Sequence, residues 1–352
     1  MKTRRLWLAL LAMVMGIAIG SVNAVHAATS SNTSGAGFTV TPVVESNQIN
    51  DVTSYFDVLV KPGSTQNLSV NITNTTNVSK KLRVSLTSAF TQDTGSIGYA
   101  PNKKTDPSAK YYLRKLGSKP VDVTVPAGKV GKVTMKVKVP KNGFKGVLLG
   151  SIYVQDRSKH ESSSKGMTIN NRYALVVGVQ MQTTKLAQQS VRPNLKLMNI
   201  QPGMQKNKPA VLATIQNYTP TFFGQMDIVG KVSWRNSSKT LFSTKQYNYA
   251  MAPTSHFAYG IFPDKGLNPG DYTLDLTAKS GKRVWHFKKN FTILAADANR
   301  INKKAGVKVD KSMPWWVWLI IILLILLLIA LLALIIILLL KRRKKDDEEE
   351  TK

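Results

Sequence analysis

Asn47, Gln48 and Asp57 flank apolar runs, and Tyr99 follows the turn at Gly95. Together they offer amide and carboxylate hydrogen bonds and a ring for stacking on an amino sugar. The same amides also suit a plainer role, because Asn commonly bonds to loop backbone in turns. A second concentration is aromatic: Tyr247, Tyr249, Phe257, Tyr259 and Phe262 crowd one span between Trp234 and Trp285. Strand alternation puts about half of such a set in a core and leaves the rest for a protein interface, where Tyr and Trp provide large contact area with a polar tip. Tyr249 and Tyr259 are the candidates for that interface.

Catalytic chemistry is poorly supplied. Beyond residue 27 the histidines are His160, His256 and His286, with no cysteine and no spaced carboxylate set to complete a metal site. His256 lies near the Pro253 turn, and His286 alternates with Trp285 along a strand pattern. No nucleophile elbow or Gly-rich phosphate loop is present. The expectation is a binding protein that is not an enzyme and uses no metal or cofactor.

The elements that must carry these residues are strands. Val133, Met135, Val137 and Val139 alternate with Lys132, Thr134, Lys136 and Lys138, the period of a strand with one buried face and a lysine face in solvent. Leu68-Ser-Val70-Asn-Ile72, Val121-Asp-Val123-Thr-Val125 and Tyr272-Thr-Leu274-Asp-Leu276 repeat the pattern, punctuated by turns at Pro62-Gly63, Pro126-Ala-Gly128 and Pro269-Gly270. Short strands with regular turn signals predict an all-β chain of two immunoglobulin-like β-sandwich domains followed by one C-terminal transmembrane α-helix. Domain one is expected over 28–184, a linker over 185–192, domain two over 193–294 and a lysine-rich stalk over 295–314. Residues 156–170, rich in Ser and Lys, read as a loop inside domain one. Leu68-Ser-Val-Asn-Ile-Thr-Asn74 and Val211-Leu-Ala-Thr-Ile-Gln-Asn217 echo each other, each an alternating strand that ends on Asn.

Both ends of the chain point to export and anchoring. Lys2, Arg4 and Arg5 precede an apolar run from Leu6 to Ile19, and Val25-His26-Ala27 offers small residues to a signal peptidase, which predicts cleavage between Ala27 and Ala28. Trp315 to Leu340 carries no charge, and Lys341-Arg342-Arg343-Lys344-Lys345 follows at once. About 26 residues at about 1.5 Å each give a helix of roughly 39 Å, longer than a hydrocarbon core of about 30 Å. Trp315, Trp316 and Trp318 belong at the outer interface, and Lys341, Arg342 and Arg343 in the cytoplasm. The expected arrangement is a single pass through the plasma membrane, with the ectodomain in the cell-wall space and 341–352 as a short cytoplasmic tail. No Leu-Pro-x-Thr-Gly sorting signal precedes the apolar run, so the membrane must retain the protein.

Residues 28–340 hold 40 Lys and Arg against 14 Asp and Glu, a net charge of about +26 that attracts polyanions. For an exported protein the wall polymers, peptidoglycan with teichoic acid, are within reach, and nucleic acid is not. With no cysteine, exported domains must rely on hydrophobic cores and not on disulfides. Asn-x-Ser/Thr matches at Asn67, Asn71, Asn74, Asn77, Asn217 and Asn236 are read as turn or strand-edge polar residues in preference to glycosylation sites.

Phe38-Thr-Val-Thr-Pro42, Ser46-Asn-Gln48, Tyr55-Phe-Asp57, Pro62-Gly63, Gly95-Ser-Ile-Gly-Tyr99 and Phe144-Lys-Gly146-Val-Leu-Leu-Gly150 occur in the order seen in the N-terminal domain of WxL-interacting proteins. Pro193-Asn-Leu195, Gln216-Asn217, Met251-Ala-Pro-Thr-Ser255, Pro269-Gly-Asp-Tyr272 and Trp285-His-Phe-Lys-Lys-Asn-Phe291 resemble its C-terminal domain. Thr254 departs from that pattern by standing where Asn is common. The resemblance implies a Gram-positive surface protein with an N-terminal domain for peptidoglycan and a C-terminal domain for host-matrix proteins, in contact with WxL-domain partners. Its function would be that of an adhesin or surface scaffold. An extracytoplasmic assembly chaperone with immunoglobulin-like domains is the alternative, marked by strand exchange with a free subunit.

Overall fold

The computed structural model describes residues 35–101, 105–158, 172–307 and 315–349. The leader with its Ala27–Ala28 junction, His160 and most of the Ser-Lys loop lie outside the described residues.

Domain one is built from β1 (Phe38–Val43), β2 (Phe56–Leu59), β3 (Thr65–Asn74), β4 (Lys80–Ser88), β5 (Phe90–Thr91), β6 (Ile97–Gly98), the single helical turn α1 (Leu113–Leu116), β7 (Val121–Val125), β8 (Val130–Lys138), β9 (Val147–Asp156) and β10 (Ala174–Gln182). One sheet runs β1-β3-β8, the facing sheet β2-β10-β9-β4-β7, and β5 and β6 form a separate hairpin. The period of two read from β8 is realised in full. Val133, Met135 and Val137 point into the core with Phe38, Leu68 and Ile72, while Lys132, Lys136 and Lys138 face solvent. At one end of the core Lys80 Nζ and Asp156 Oδ2 form a buried ion pair at 2.8 Å, beside the Phe38 ring.

Between the domains, residues 185–192 contain the helical turn α2 (Ala187–Ser190), with Ala187 and Val191 buried. The linker is therefore packed against the domains it joins and is not a loose tether. Domain two consists of β11 (Leu195–Gln205), β12 (Lys208–Asn217), β13 (Phe223–Trp234), β14 (Thr240–Met251), β15 (Ser255–Ile261), β16 (Gly270–Ser280), β17 (Arg283–Ile293) and α3 (Ala295–Lys304). Its sheets run β11-β12-β15 and β14-β13-β16-β17. The helix α3 corrects the expected stalk over 295–314. Ala298 and Ile301 join the domain-two core, and Asn302 bonds both the N–H and the carbonyl of Leu267, at 2.9 and 2.8 Å. Any stalk begins after this helix, and 308–314 lie outside the described residues.

The sequence echo has a structural counterpart. Asn74 Nδ2 donates to the carbonyls of Val78, Val125 and Pro126, and its Oδ1 accepts from the backbone N–H and hydroxyl of Thr76. Asn217 does the same with Thr221 and Ala252 on one side and Thr219 on the other. Both Asn residues are buried with their amide donors in use, so neither is an open glycosylation acceptor.

The last described element is α4 (Trp315–Glu349). Within it Val317–Leu338 has a mean hydropathy of 3.9 and no packing against either domain, making it long and apolar enough to cross a membrane. Trp318 is exposed on its first turn.

Candidate binding sites

The candidate residues of domain one divide into supports and one half-buried ring. Gln48 Nε2 donates to the carbonyls of Val52 and Tyr55, and its Oε1 accepts the Asp57 N–H. Asn47 Nδ2 bonds the Leu59 carbonyl and Gln66 Oε1, at 3.0 and 2.7 Å. The Asp57 carboxylate is buried and accepts from Asn50, Gln180 and Gln182. All three side chains thus shape the 44–55 loop from within, the plainer of their two roles. That loop presents Tyr55, which sequence reasoning passed over as a site residue. Tyr55 and Tyr99 line one groove of about 440 Å³ over the apolar face of β9 and β10, with Gln180 in its floor and Phe222 of domain two at its side. Burial pushes the Tyr99 phenol up, so it is a neutral hydrogen-bonding group. Gln180 uses Nε2 on Asp57, which orients its amide.

The choices in domain two need correction. Tyr259 is 1% exposed and Tyr249 7%, so neither is an exposed interface residue. The Tyr259 hydroxyl donates to the carbonyls of Ile228 and Thr244, and its ring meets Tyr249 edge-on at 6.4 Å. The exposed ring is Tyr247, 60% accessible, with Lys245 Nζ 4.7 Å from its centroid. Simple alternation makes Tyr247 and Tyr249 share a face. A bulge separates them: Asn248 has φ 55°, and the β13–β14 pairing slips between Met226–Tyr249 and Ile228–Gln246. Before the bulge even-numbered residues point inward, and after it odd-numbered ones do. Trp234, partly exposed, stacks on Tyr272 at 4.5 Å, while the Trp285 indole donates to Asn194 Oδ1. His286 sits at the surface, 3.0 Å from Asp275.

A third arrangement joins the domains. The β5–β6 hairpin of domain one lies against β14 and β15. Ala250 N–H donates to the Gly95 carbonyl at 2.7 Å, Ala252 N–H to Thr91 Oγ1 at 3.0 Å and Ala258 N–H to Asp93 Oδ1 at 2.9 Å. Beside it a polar cavity of about 590 Å³ is lined by Asp93, Asp106, Tyr112 and Arg114 from one domain and Gln201 and His256 from the other. Asp106 receives Gln216 Nε2 on Oδ1 at 2.7 Å and meets His256 Nδ1 through Oδ2 at 2.6 Å. Burial pushes its carboxyl up, but hydrogen bonds from His256, Ser108 and Gln216 outweigh this and hold it below the ordinary carboxylate range. Among the described residues no group of His, Asp and Glu is arranged to hold a metal ion.

Comparison with known sequences decides the family. Residues 38–156 match the peptidoglycan binding domain of WxL Interacting Protein, and residues 164–303 match its host binding domain. The chain belongs to the WxL-interacting protein family. No curated protein matches it significantly. Among solved structures, the Pseudomonas aeruginosa CupB2 chaperone is 9% identical, covering 67% of this chain and 96% of its own, with a TM-score of 0.24. A Salmonella enterica SafA pilin in complex with the SafB chaperone gives 10%, 65%, 97% and 0.25 in the same order. A PapD-like domain of human CEP192 gives 13%, 42%, 86% and 0.25. Such distant likenesses carry no argument.

Several residues that carry the WxL-interacting resemblance prove to hold the two domains together. Gly95 has φ 80°, and a Cβ there would come within 2.2 Å of the Tyr249 ring. Gly146 has φ 73°, and a Cβ there would meet the Pro220 carbonyl oxygen at 1.9 Å, next to the bond from Val147 N–H to that oxygen. In both places domain two packs where only glycine leaves room. Thr254 has φ 42°, a left-handed conformation that Asn tolerates better than a β-branched residue, which gives a physical reason for the Asn common there. The host binding match starts before β10, yet β10 pairs with β9 and β2 inside the first sandwich. The two matched regions are therefore interleaved in space.

Proposed function

We propose that this protein is a membrane-anchored surface scaffold or adhesin that grips wall glycan with domain one and a protein partner with domain two. In this reading the two sandwich domains lie outside the membrane, supported by the apolar span of α4, with Lys341, Arg342 and Arg343 on the cytoplasmic side and Trp315, Trp316 and Trp318 at the outer interface. The groove of Tyr55 and Tyr99 carries the glycan half of the proposal. Two aromatic rings supply the flat faces on which sugar C–H groups pack, and the Gln180 amide oxygen is placed to accept from an N-acetyl group. Support for the region comes from its match to a peptidoglycan binding domain.

Tyr247, exposed beside Lys245, is the anchor for a WxL-domain or host-matrix protein, in place of the buried Tyr249 and Tyr259. Large exposed aromatics next to a cation are common energetic centres of interfaces. Binding of the full-length protein to purified sacculi stripped of teichoic acid tests the glycan half. Tyr55→Ala and Tyr99→Ala should each weaken retention by about tenfold or more, a loss of roughly 1.4 kcal/mol, with the melting temperature little changed. Retention that survives both substitutions would exclude this groove.

A further inference from the structure

The outer face of the β1-β3-β8 sheet has no role in the groove, in the cavity or in the contact between domains. Lys132, Lys136 and Lys138 stand exposed along β8, with Thr134 between them. Across the ladder they face Asn71, Asn67 and Thr65 in turn, and Ser69 faces Thr134, hydroxyl to hydroxyl at 2.8 Å. Beyond β3 the next residues on this face are Thr39 and Thr41 of β1. The three strands contain no Asp and no Glu, and none of the three lysines has an ion-pair partner among the described residues. The sheet therefore presents a straight ridge of uncompensated ammonium groups bordered by neutral hydrogen-bonding side chains.

From this geometry we infer that the β1-β3-β8 face binds the phosphodiester backbone of teichoic acid. Residues two apart on a strand are spaced by about 6.8 Å, so Lys136 and Lys138 stand about that far apart and Lys132 about twice that distance from Lys136, a line of point charges for a linear polyanion. Lysine is a compact, strongly hydrated charge that suits phosphate as a point contact. The Asn, Ser and Thr row alongside suits the hydroxyl-bearing linkers between phosphates. A single-stranded nucleic acid calls for aromatic platforms for its bases, and the outward-facing residues of these strands include none. The inference rests on the reading that domain one faces the wall, and it adds a second, electrostatic contact separate from the Tyr55–Tyr99 groove.

The test titrates full-length protein in neutral detergent with purified poly(glycerol phosphate), and in parallel with sacculi stripped of teichoic acid. Replacing Lys132, Lys136 and Lys138 together by Gln should weaken poly(glycerol phosphate) binding about tenfold or more. The log–log salt dependence should flatten by between about one and three, as released counterions are lost. Stripped-sacculus binding and the melting temperature should stay unchanged, and the matching triple Arg variant should retain polymer binding. Polymer affinity unaltered in the Gln variant would overturn the inference. So would equal binding of single-stranded DNA of the same charge by the unsubstituted protein. Failure of the unsubstituted protein to hold stripped sacculi would instead count against the groove, and the lysine comparison would still decide the face.

Discussion

Tyrosine does opposite things in the two domains. Tyr55 and Tyr99 remain half-exposed on either side of a groove in domain one, whereas Tyr249 and Tyr259 close the core of domain two and Tyr249 also receives the hairpin of its neighbour. Residue type is the same in both places, so type alone cannot separate binding from packing. The surroundings separate them. In domain one a loop held by Gln48 and Asp57 sets Tyr55 over Gly178 at the side of the groove, and in domain two a bulge at Asn248 turns a ring inward.

Deleting one ring from each side gives the largest contrast. Tyr259→Ala should cost about 3 to 5 kcal/mol of stability, the usual loss for a large core side chain, and should lower the denaturant midpoint of both sandwich domains. Tyr99→Ala should lower binding far more than stability. A Tyr259→Ala protein with an unchanged midpoint would break the distinction.

The contact between hairpin and Tyr249 sharpens it next. Gly95→Ala forces an L-residue into a left-handed conformation at about 1 to 2 kcal/mol, and it also drives a methyl group into the Tyr249 ring. A loss of about 2 to 4 kcal/mol is expected, with faster proteolysis between the domains. Stability and cleavage like the unsubstituted protein would show that the hairpin does not clamp the domains.

Acid gives the smallest effect. The Asp106 carboxyl is held below its unfolded value, so its contribution to stability is complete above about pH 4. It is lost as pH falls through the folded value. Asp106→Asn should destabilise by about 1 to 2 kcal/mol at neutral pH, and its gap from the parent should shrink as pH drops from about 5 towards 2. A gap that stays constant over that range would remove the ionised Asp106 from the contact between domains.

Much of the architecture was legible because its signals are local. The alternation of β8, the turns at Pro-Gly pairs, the apolar run of α4 and the Asn that ends β3 and β12 each lie within one short, continuous stretch of chain. The candidate sites were legible only in part. Tyr99, singled out from the sequence, lines the proposed groove, whereas Tyr55 and Tyr247, which complete the proposed sites, were not singled out. Tyr55 sits beside Asp57 in one of the stretches that resemble the family, but nothing nearby tells an upward-pointing ring from a buried one. The helix α3 was missed because 295–304 is short and mixes Ala with Asp, Asn, Arg and Lys, and only Ala298 and Ile301, three apart, mark its apolar buried side.

The sequence by itself determined which residues alternate, where the chain turns, that one segment is apolar enough to span a bilayer, and that residues 28–340 are strongly basic. These follow from short-range periodicity and from summed charge, which need no knowledge of the fold. Tertiary structure alone decided which tyrosines face solvent, that the linker is packed, and that Asp106 meets His256 across 150 positions of chain. One inserted residue at a bulge reverses the facing of every side chain beyond it, and a contact between distant strands depends on the packing of two whole sandwiches, which no local pattern encodes.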